Sequence, residues 1–172
     1  MKVALTGGIA CGKSLVAKYL DDLGFKTLDA DDIVHSLIPD AERARLAKIV
    51  FGDPQARAEL EARIHPLVKE RLMASPETIH VIPLLFETHW DAEYDIICCV
   101  KSEKATQVSR MMTMRGYTRE EAEARLAAQM PVAEKAEKSH YVISNDGSVE
   151  ELRTKTEGFV TWLKNTMCSR KR

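Results

Sequence analysis

Apolar positions along this chain follow two patterns, and the patterns alternate. Five stretches read as short, almost unbroken apolar runs, at 2–6, 25–28, 79–85, 94–100 and 140–144, with Ile96-Ile97-Cys98-Cys99-Val100 the plainest. Runs without polar alternation suit strands buried on both faces, as in a parallel sheet. Between them, apolar residues recur at helical spacing over 13–23, 32–37, 41–50, 54–74, 103–115, 119–130 and 149–165. Strands alternating with helices predict a doubly wound α/β fold, a five-stranded parallel sheet flanked by helices.

Punctuation sharpens these limits. Gly24 and Gly116 follow helical runs as stop signals, Thr118 with Glu121 three residues on forms a capping box, and Pro131 is expected to stop the helix that box opens. The stretch 32–76 carries only helical pattern and is longer than a crossover between parallel strands requires. It predicts a helical subdomain beside the sheet. The helical pair within 103–135 predicts a lid, which leaves 1–31, 77–102 and 136–172 as the core of one domain.

Composition narrows the picture. With 172 residues, 45% of them apolar and 30% charged, the chain can bury one sizeable core. Its 25 basic and 26 acidic residues nearly cancel, so neither a nucleic acid nor an anionic membrane is expected as partner. No apolar run reaches the length of a membrane span. A first strand at residue 2 or 3 leaves no room for a secretory signal, so the expected location is cytoplasmic, as a monomer or weak homo-oligomer. The cysteines at 11, 98, 99 and 168 show no disulfide framework, and the five histidines show no metal-ligand spacing. Reduced thiols and no structural zinc follow.

The chemistry begins where the first apolar run meets Gly7-Gly8-Ile9-Ala10-Cys11-Gly12-Lys13-Ser14. The spacing G-x-x-x-x-G-K-S between a strand and a helix describes a phosphate-binding loop. Its glycines let backbone N–H groups point inward, and the helix starting at Lys13 adds its dipole. Lys13 would reach β- and γ-phosphates and the Ser14 hydroxyl would hold Mg²⁺. The residues Gly8, Ile9, Ala10, Cys11, Gly12, Lys13, Ser14 and Leu15 are therefore the expected ATP site. Such a nest favours thiolate, so Cys11 is expected to be a reactive thiol that ATP would cover.

Three further clusters join it. In Asp29-Ala30-Asp31-Asp32, strand periodicity places Asp29 and Asp31 on one face at the carboxyl end of the second strand, where α/β folds bind ligands. Either could accept a proton from an attacking hydroxyl; the alternative is that Asp31 caps a helix beginning at Asp32. Glu87 ends the apolar run Ile82-Pro83-Leu84-Leu85-Phe86, facing the same crevice or simply solvent. Arg110, preceded by Gln107, has no acid at i+4 and is the lid guanidinium available to a γ-phosphate, whereas Arg125 has Glu121 four residues earlier as an ion-pair partner.

Taken together, the chain resembles the dephospho-coenzyme A kinases. The matching stretches run almost end to end: Leu5-Thr6-Gly7-Gly8-Ile9 with Gly12-Lys13-Ser14, Leu28-Asp29-Ala30-Asp31 with Ile33, Ile49-Val50-Phe51, Ile64-His65-Pro66-Leu67-Val68, and Pro83-Leu84-Leu85-Phe86-Glu87. Arg125 to Pro131, Lys135, and Val142-Ile143 with Asn145 and Gly147-Ser148 complete them. The resemblance implies a P-loop NTPase fold with a helical acceptor-binding subdomain and a lid. It also implies ATP-dependent phosphorylation of the ribose 3′-hydroxyl of dephospho-CoA. It places Asp31 at the 3′-hydroxyl, His65 with Leu85, Phe86 and Glu87 near the acceptor, and Asn145 by the adenine.

Four departures stand out: Leu15 in place of the usual Thr, Met114 in place of a second lid arginine, Ser139-His140 in place of Ala-Asp, and a shortened segment between Leu37 and Arg43. The nearest rival is a kinase for another small molecule, such as a nucleoside or nucleotide. A GTPase-like switch would need an Asn-Lys-x-Asp guanine reader, which the sequence lacks.

Overall fold

The computed structural model describes residues 1–38 and 53–169. Their contacts divide the chain into two units, Met1–Thr27 with Glu77–Arg172, and Leu28–Pro76.

In the first unit, strand β1 (Val3–Gly7) is buried along its whole length because it runs through the middle of the sheet. The strand order is β2-β3-β1-β4-β5, with β2 at Thr27–Asp29, β3 at Ile79–Val81, β4 at Ile96–Lys101 and β5 at Tyr141–Ser144. β1 pairs in parallel with β3 and β4 on its two sides, so that Leu5 lies opposite both Val81 and Cys98. β5 continues the parallel array from β4. A central strand flanked on both edges has no solvent-facing side, which is why its residues read as an unbroken apolar run.

Helix α1 (Lys13–Asp22) buries Val16, Ala17, Tyr19 and Leu20, the i, i+1, i+3, i+4 stripe of an amphipathic helix. These residues share one core cluster with Leu5, Cys98 and Val100 of the sheet and with Leu152, Phe159 and Leu163 of the last helix, at Val149–Ser169. Each large side chain so buried is worth about 1.5–3 kcal/mol. Tyr141 on β5 packs at 5.1 Å between ring centroids against both Phe159 and Trp162.

After β4 come α4 (Lys104–Arg115), α5 (Arg119–Ala127) and α6 (Val132–Glu137), with α7 the helix at Val149–Ser169. α4 ends on Gly116 in the left-handed conformation, φ 68°, and the Thr118–Glu121 capping box forms with both of its hydrogen bonds. α6 packs across β1 and β4. The second unit contains α2 (Ala30–Leu37) and α3 (Pro54–Met73), packed against each other, α3 being opened by the Asp53 carboxylate on two backbone N–H groups. Among the described residues no helix is long and apolar enough to cross a membrane.

Four expectations shift. β3 stops at Val81: Ile82 still donates to the Leu5 carbonyl, but Pro83 has no N–H to extend a ladder and the chain turns away through Thr88. α2 starts at Ala30 rather than Asp32, because the Asp29 carboxylate accepts from the Asp31 N–H at 2.8 Å and caps it. Hence Asp29 is the cap, and Asp29 and Asp31 do not share a strand face. Pro131 opens α6 instead of ending the previous helix, which closes at Ala127. The helix expected over 41–50 and most of the shortened segment after Leu37 lie outside the described residues.

Candidate active site

The site is built at the carboxyl end of β1, where Gly7 (φ 149°), Ala10 (φ 57°) and Gly12 (φ 91°) take positive φ values and curl the chain into a loop. A Cβ on Gly7 would run into the Val100 carbonyl, and one on Gly12 would run into the Asn145 amide. Both positions therefore require glycine on space as well as dihedral grounds.

The loop carbonyls are the informative part. Lys13 donates its ammonium to Gly7 O at 3.1 Å and to Gly8 O at 2.8 Å. Gln107 Nε2 donates to Ile9 O at 2.7 Å, Arg110 Nη1 to Ala10 O at 3.3 Å, and Asn145 Nδ2 to Cys11 O at 2.9 Å. Gly12 O accepts the first hydrogen bonds of α1, from Leu15 and Val16. Every carbonyl from Gly7 to Gly12 is thus hydrogen-bonded, so that none is left bare to repel an anion at the loop. The Ser102 hydroxyl links the anchors, accepting from Arg110 at 3.1 Å and donating to Asn145 O at 2.7 Å. Gln107, Ser102 and Asn145 are all buried, so these contacts are made out of water, where a hydrogen bond is electrostatically stronger.

Ile9 and Ala10 also pack on an apolar cluster of Val108 and Met111 from α4 and Ala122 from α5. α4 and α5 are therefore packed on the loop. Between them lies a cavity of about 620 Å³ bordered by Gly8, Ile9, Ser102, Gln107, Met130 and Asp146. That volume suits a nucleotide-sized molecule.

Individual residues fall out as follows. Ser14 is exposed in the first turn of α1, with Leu15 half-buried after it. Cys11 departs from expectation: it is 0% exposed within the core, and burial raises its thiol pKa above the usual value despite the nearby Lys13 charge. The backbone N–H of Cys11 bonds to Gly8 O at 3.4 Å and its side chain lies in the core, so the reactive-thiol expectation fails. Arg125 stacks over the Tyr117 ring at 4.3 Å, while the carboxylate of Glu121 serves the capping box. Met114 is 78% exposed and Arg115 is exposed beside it, at the far end of α4.

Leu85 and Phe86 are buried, so their contribution to any site is to fix the backbone of that turn. Glu87, 23% exposed, pairs with Lys135 at 2.7 Å. In the second unit Asp31 is exposed in the first turn of α2, and His65 is half-buried on α3 before Pro66, a proline inside the helix. Sequence reasoning missed the anchoring role of Ser102 and the burial of Lys135. A serine directly after a buried strand was a usable signal, whereas nothing in Ala133-Glu134-Lys135 marks a lysine as internal.

Among the described residues no group of three or more His, Cys, Asp or Glu side chains could hold a metal. The exposed Ser14 hydroxyl, in the first turn after the loop, has the chemistry of a Mg²⁺ ligand.

The dephospho-CoA kinase family profile matches residues 1–44 and 39–151. The chain is 36% identical over 186 residues to the dephospho-CoA kinase of Symbiobacterium thermophilum, covering 90% of this chain and 78% of that one. It is 36% identical over 186 residues to that of Geobacter sulfurreducens, covering 90% and 94%. The fold matches the solved dephospho-CoA kinase of Campylobacter jejuni with a TM-score of 0.71 at 24% identity, over 96% of this chain and 99% of that one.

Proposed function

The chain belongs to the dephospho-CoA kinase family, and from that premise we propose that it uses ATP to phosphorylate the ribose 3′-hydroxyl of dephospho-CoA, giving coenzyme A and ADP. The observation that carries the reading is the loop whose carbonyls from Gly7 to Gly12 are all hydrogen-bonded, with Lys13 and Arg110 among the donors. Phosphoryl transfer needs little covalent chemistry from a protein; it needs placement and neutralisation of charge.

In this reading the loop amides and Lys13 hold the β- and γ-phosphates. Arg110, already against the Ala10 carbonyl, meets the charge that spreads over the migrating group. Asn145 flanks the adenine while its amide nitrogen keeps the Cys11 carbonyl in place. Asp31 orients the acceptor hydroxyl and takes its proton as the new bond to phosphorus forms. His65 and the Leu85 to Glu87 turn shape the acceptor side. The Ser14 hydroxyl would hold Mg²⁺ together with the phosphates, and the ion would supply further charge neutralisation. We place this activity in the cytoplasm, in a monomer or weak homo-oligomer.

The test is a coupled ADP-release assay with dephospho-CoA set against adenosine and a panel of nucleosides and nucleotides, with phosphorus NMR to locate the new monoester. Turnover confined to dephospho-CoA, with the phosphate on the 3′ position, is the expected result. Faster turnover of a nucleoside would replace the acceptor assignment while leaving the phosphate loop standing.

A further inference from the structure

Among the described residues Lys135 is one of the largest fully buried side chains, at 0% exposure, and a buried ammonium is costly unless its charge and its donors are met. Its Nζ donates to the Pro83 carbonyl at 2.8 Å and pairs with Glu87 Oε1 at 2.7 Å. The Thr6 hydroxyl approaches the same Pro83 carbonyl at 3.4 Å, one residue before the phosphate loop begins. Glu87 Oε1 also accepts from the Met130 backbone N–H at 3.1 Å. The lysine therefore ties three things together: the end of β1, the Pro83–Glu87 turn after β3, and the chain entering α6.

The arrangement is lopsided in a telling way. One oxygen of Glu87 has two partners, while Oε2 is buried with no hydrogen-bond partner. A carboxylate in that state is held in place by Lys135 and a single backbone amide. Without the ammonium it would be an uncompensated buried anion, and it would take up a proton or swing toward solvent. Pro83 and Glu87 bracket the turn, so the turn would lose its placement relative to the phosphate loop.

We propose that Lys135 is a positioning residue for phosphoryl transfer. It sets the Pro83–Glu87 turn, and through it the acceptor, against the phosphate loop, and its effect falls on the acceptor more than on ATP. The inference rests on the kinase reading given above. Lys135 is shut away from any ligand, so it acts only through the groups it holds.

The test is steady-state kinetics of Lys135→Met, which keeps the length of the side chain and removes the charge. The expected result is a rise in KM for dephospho-CoA, a fall in kcat, or both, amounting to a ten- to hundredfold loss on the order expected for misplaced reacting groups, with KM for ATP within about twofold of wild type. Lys135→Arg, which restores the charge and donors, should recover part of the loss. A lysine that merely supports the fold would lower the melting temperature and scale kcat with the folded fraction, leaving both KM values unchanged, and that result would overturn the proposal. Should Lys135→Met fail to fold, the double variant with Lys135→Met and Glu87→Gln removes both charges and leaves neither ion buried and unpaired. It must then show the same split between acceptor and ATP, and equal effects on both substrates would count against the role. Wild-type protein that turns over no dephospho-CoA would sink the kinase reading itself, whereas active wild type with unsplit variants would remove Lys135 alone.

Discussion

The carbonyls behind the phosphate loop and the turn at the head of α2 are held in opposite ways. Gln107 reaches Ile9 across 98 positions of sequence and Asn145 reaches Cys11 across 134, whereas Asp29 caps α2 through an amide two residues away. The loop's shape is thus a property of the assembled unit, since it exists only once β4, α4 and β5 are in place. The cap is a property of a few consecutive residues. Damage to a remote anchor should spread into stability and nucleotide binding together, while damage to the turn should stay local.

The largest expected effect lies on the local side. Asp31→Asn removes charge and basicity from an exposed side chain while leaving the capping amide of residue 31 in place. We expect kcat at saturating dephospho-CoA to fall by roughly two to four orders of magnitude, the range for loss of a general base. ATP affinity by titration calorimetry and the melting temperature should hardly move; a variant with most of its kcat would reduce Asp31 to a first-turn acid stabilising the helix dipole.

Next comes Lys13→Ala, which deletes a charge at the loop mouth but no core contact. It should stay folded by circular dichroism and lose kcat on the order of a hundred- to a thousandfold, as for removal of one electrostatic stabiliser. Near-normal turnover would refute the phosphate-loop assignment.

The comparison is sharpest at Gln107→Ala. Leaving the Ile9 carbonyl without its donor should destabilise the fold by about 1–3 kcal/mol in urea denaturation and weaken ATP in parallel. A loss of affinity with unchanged stability would mean that the loop keeps its form without the anchor. At the bottom of the scale, Asp29→Ala should cost about 1 kcal/mol, the value of an N-cap, and leave ATP affinity alone. If it weakened ATP as much as Gln107→Ala does, the contrast between remote and local support would be void.

The same contrast explains what could be read from sequence. The strand, loop and helix around Gly7 to Ser14 and the Thr118–Glu121 box were legible, because residue type and spacing fix each locally. The five-stranded parallel sheet followed from apolar runs alternating with helical periods, whereas the order of its strands did not. Asp29 was misread because strand periodicity was carried one residue too far: the side chain that ends β2 is the one that starts α2. Pro83 and Pro131 illustrate one residue type with two outcomes, ending a ladder in one place and opening a helix in the other. Cys11 failed for a different reason: a backbone nest says nothing about which way the side chain faces. The buried Lys135 and the Ser102 link depend on partners far along the chain, and no local pattern announces them.

The rings of Tyr141, Phe159 and Trp162 give the molecule an optical gauge of one particular event. Trp162 sits on α7 at 5.1 Å from the Tyr141 ring of the edge strand, within the range of direct ring–ring packing. Separation of that helix from the sheet would expose the indole and shift its emission to longer wavelength. Trp90, 9% exposed before the turn at Asp91–Glu93, supplies the other indole signal, and replacing it with Phe leaves fluorescence that reports on the C-terminal helix by itself. Because β5 also leads into Asn145, that emission reads whether the strand supporting the Cys11 carbonyl is still clamped, without any added dye.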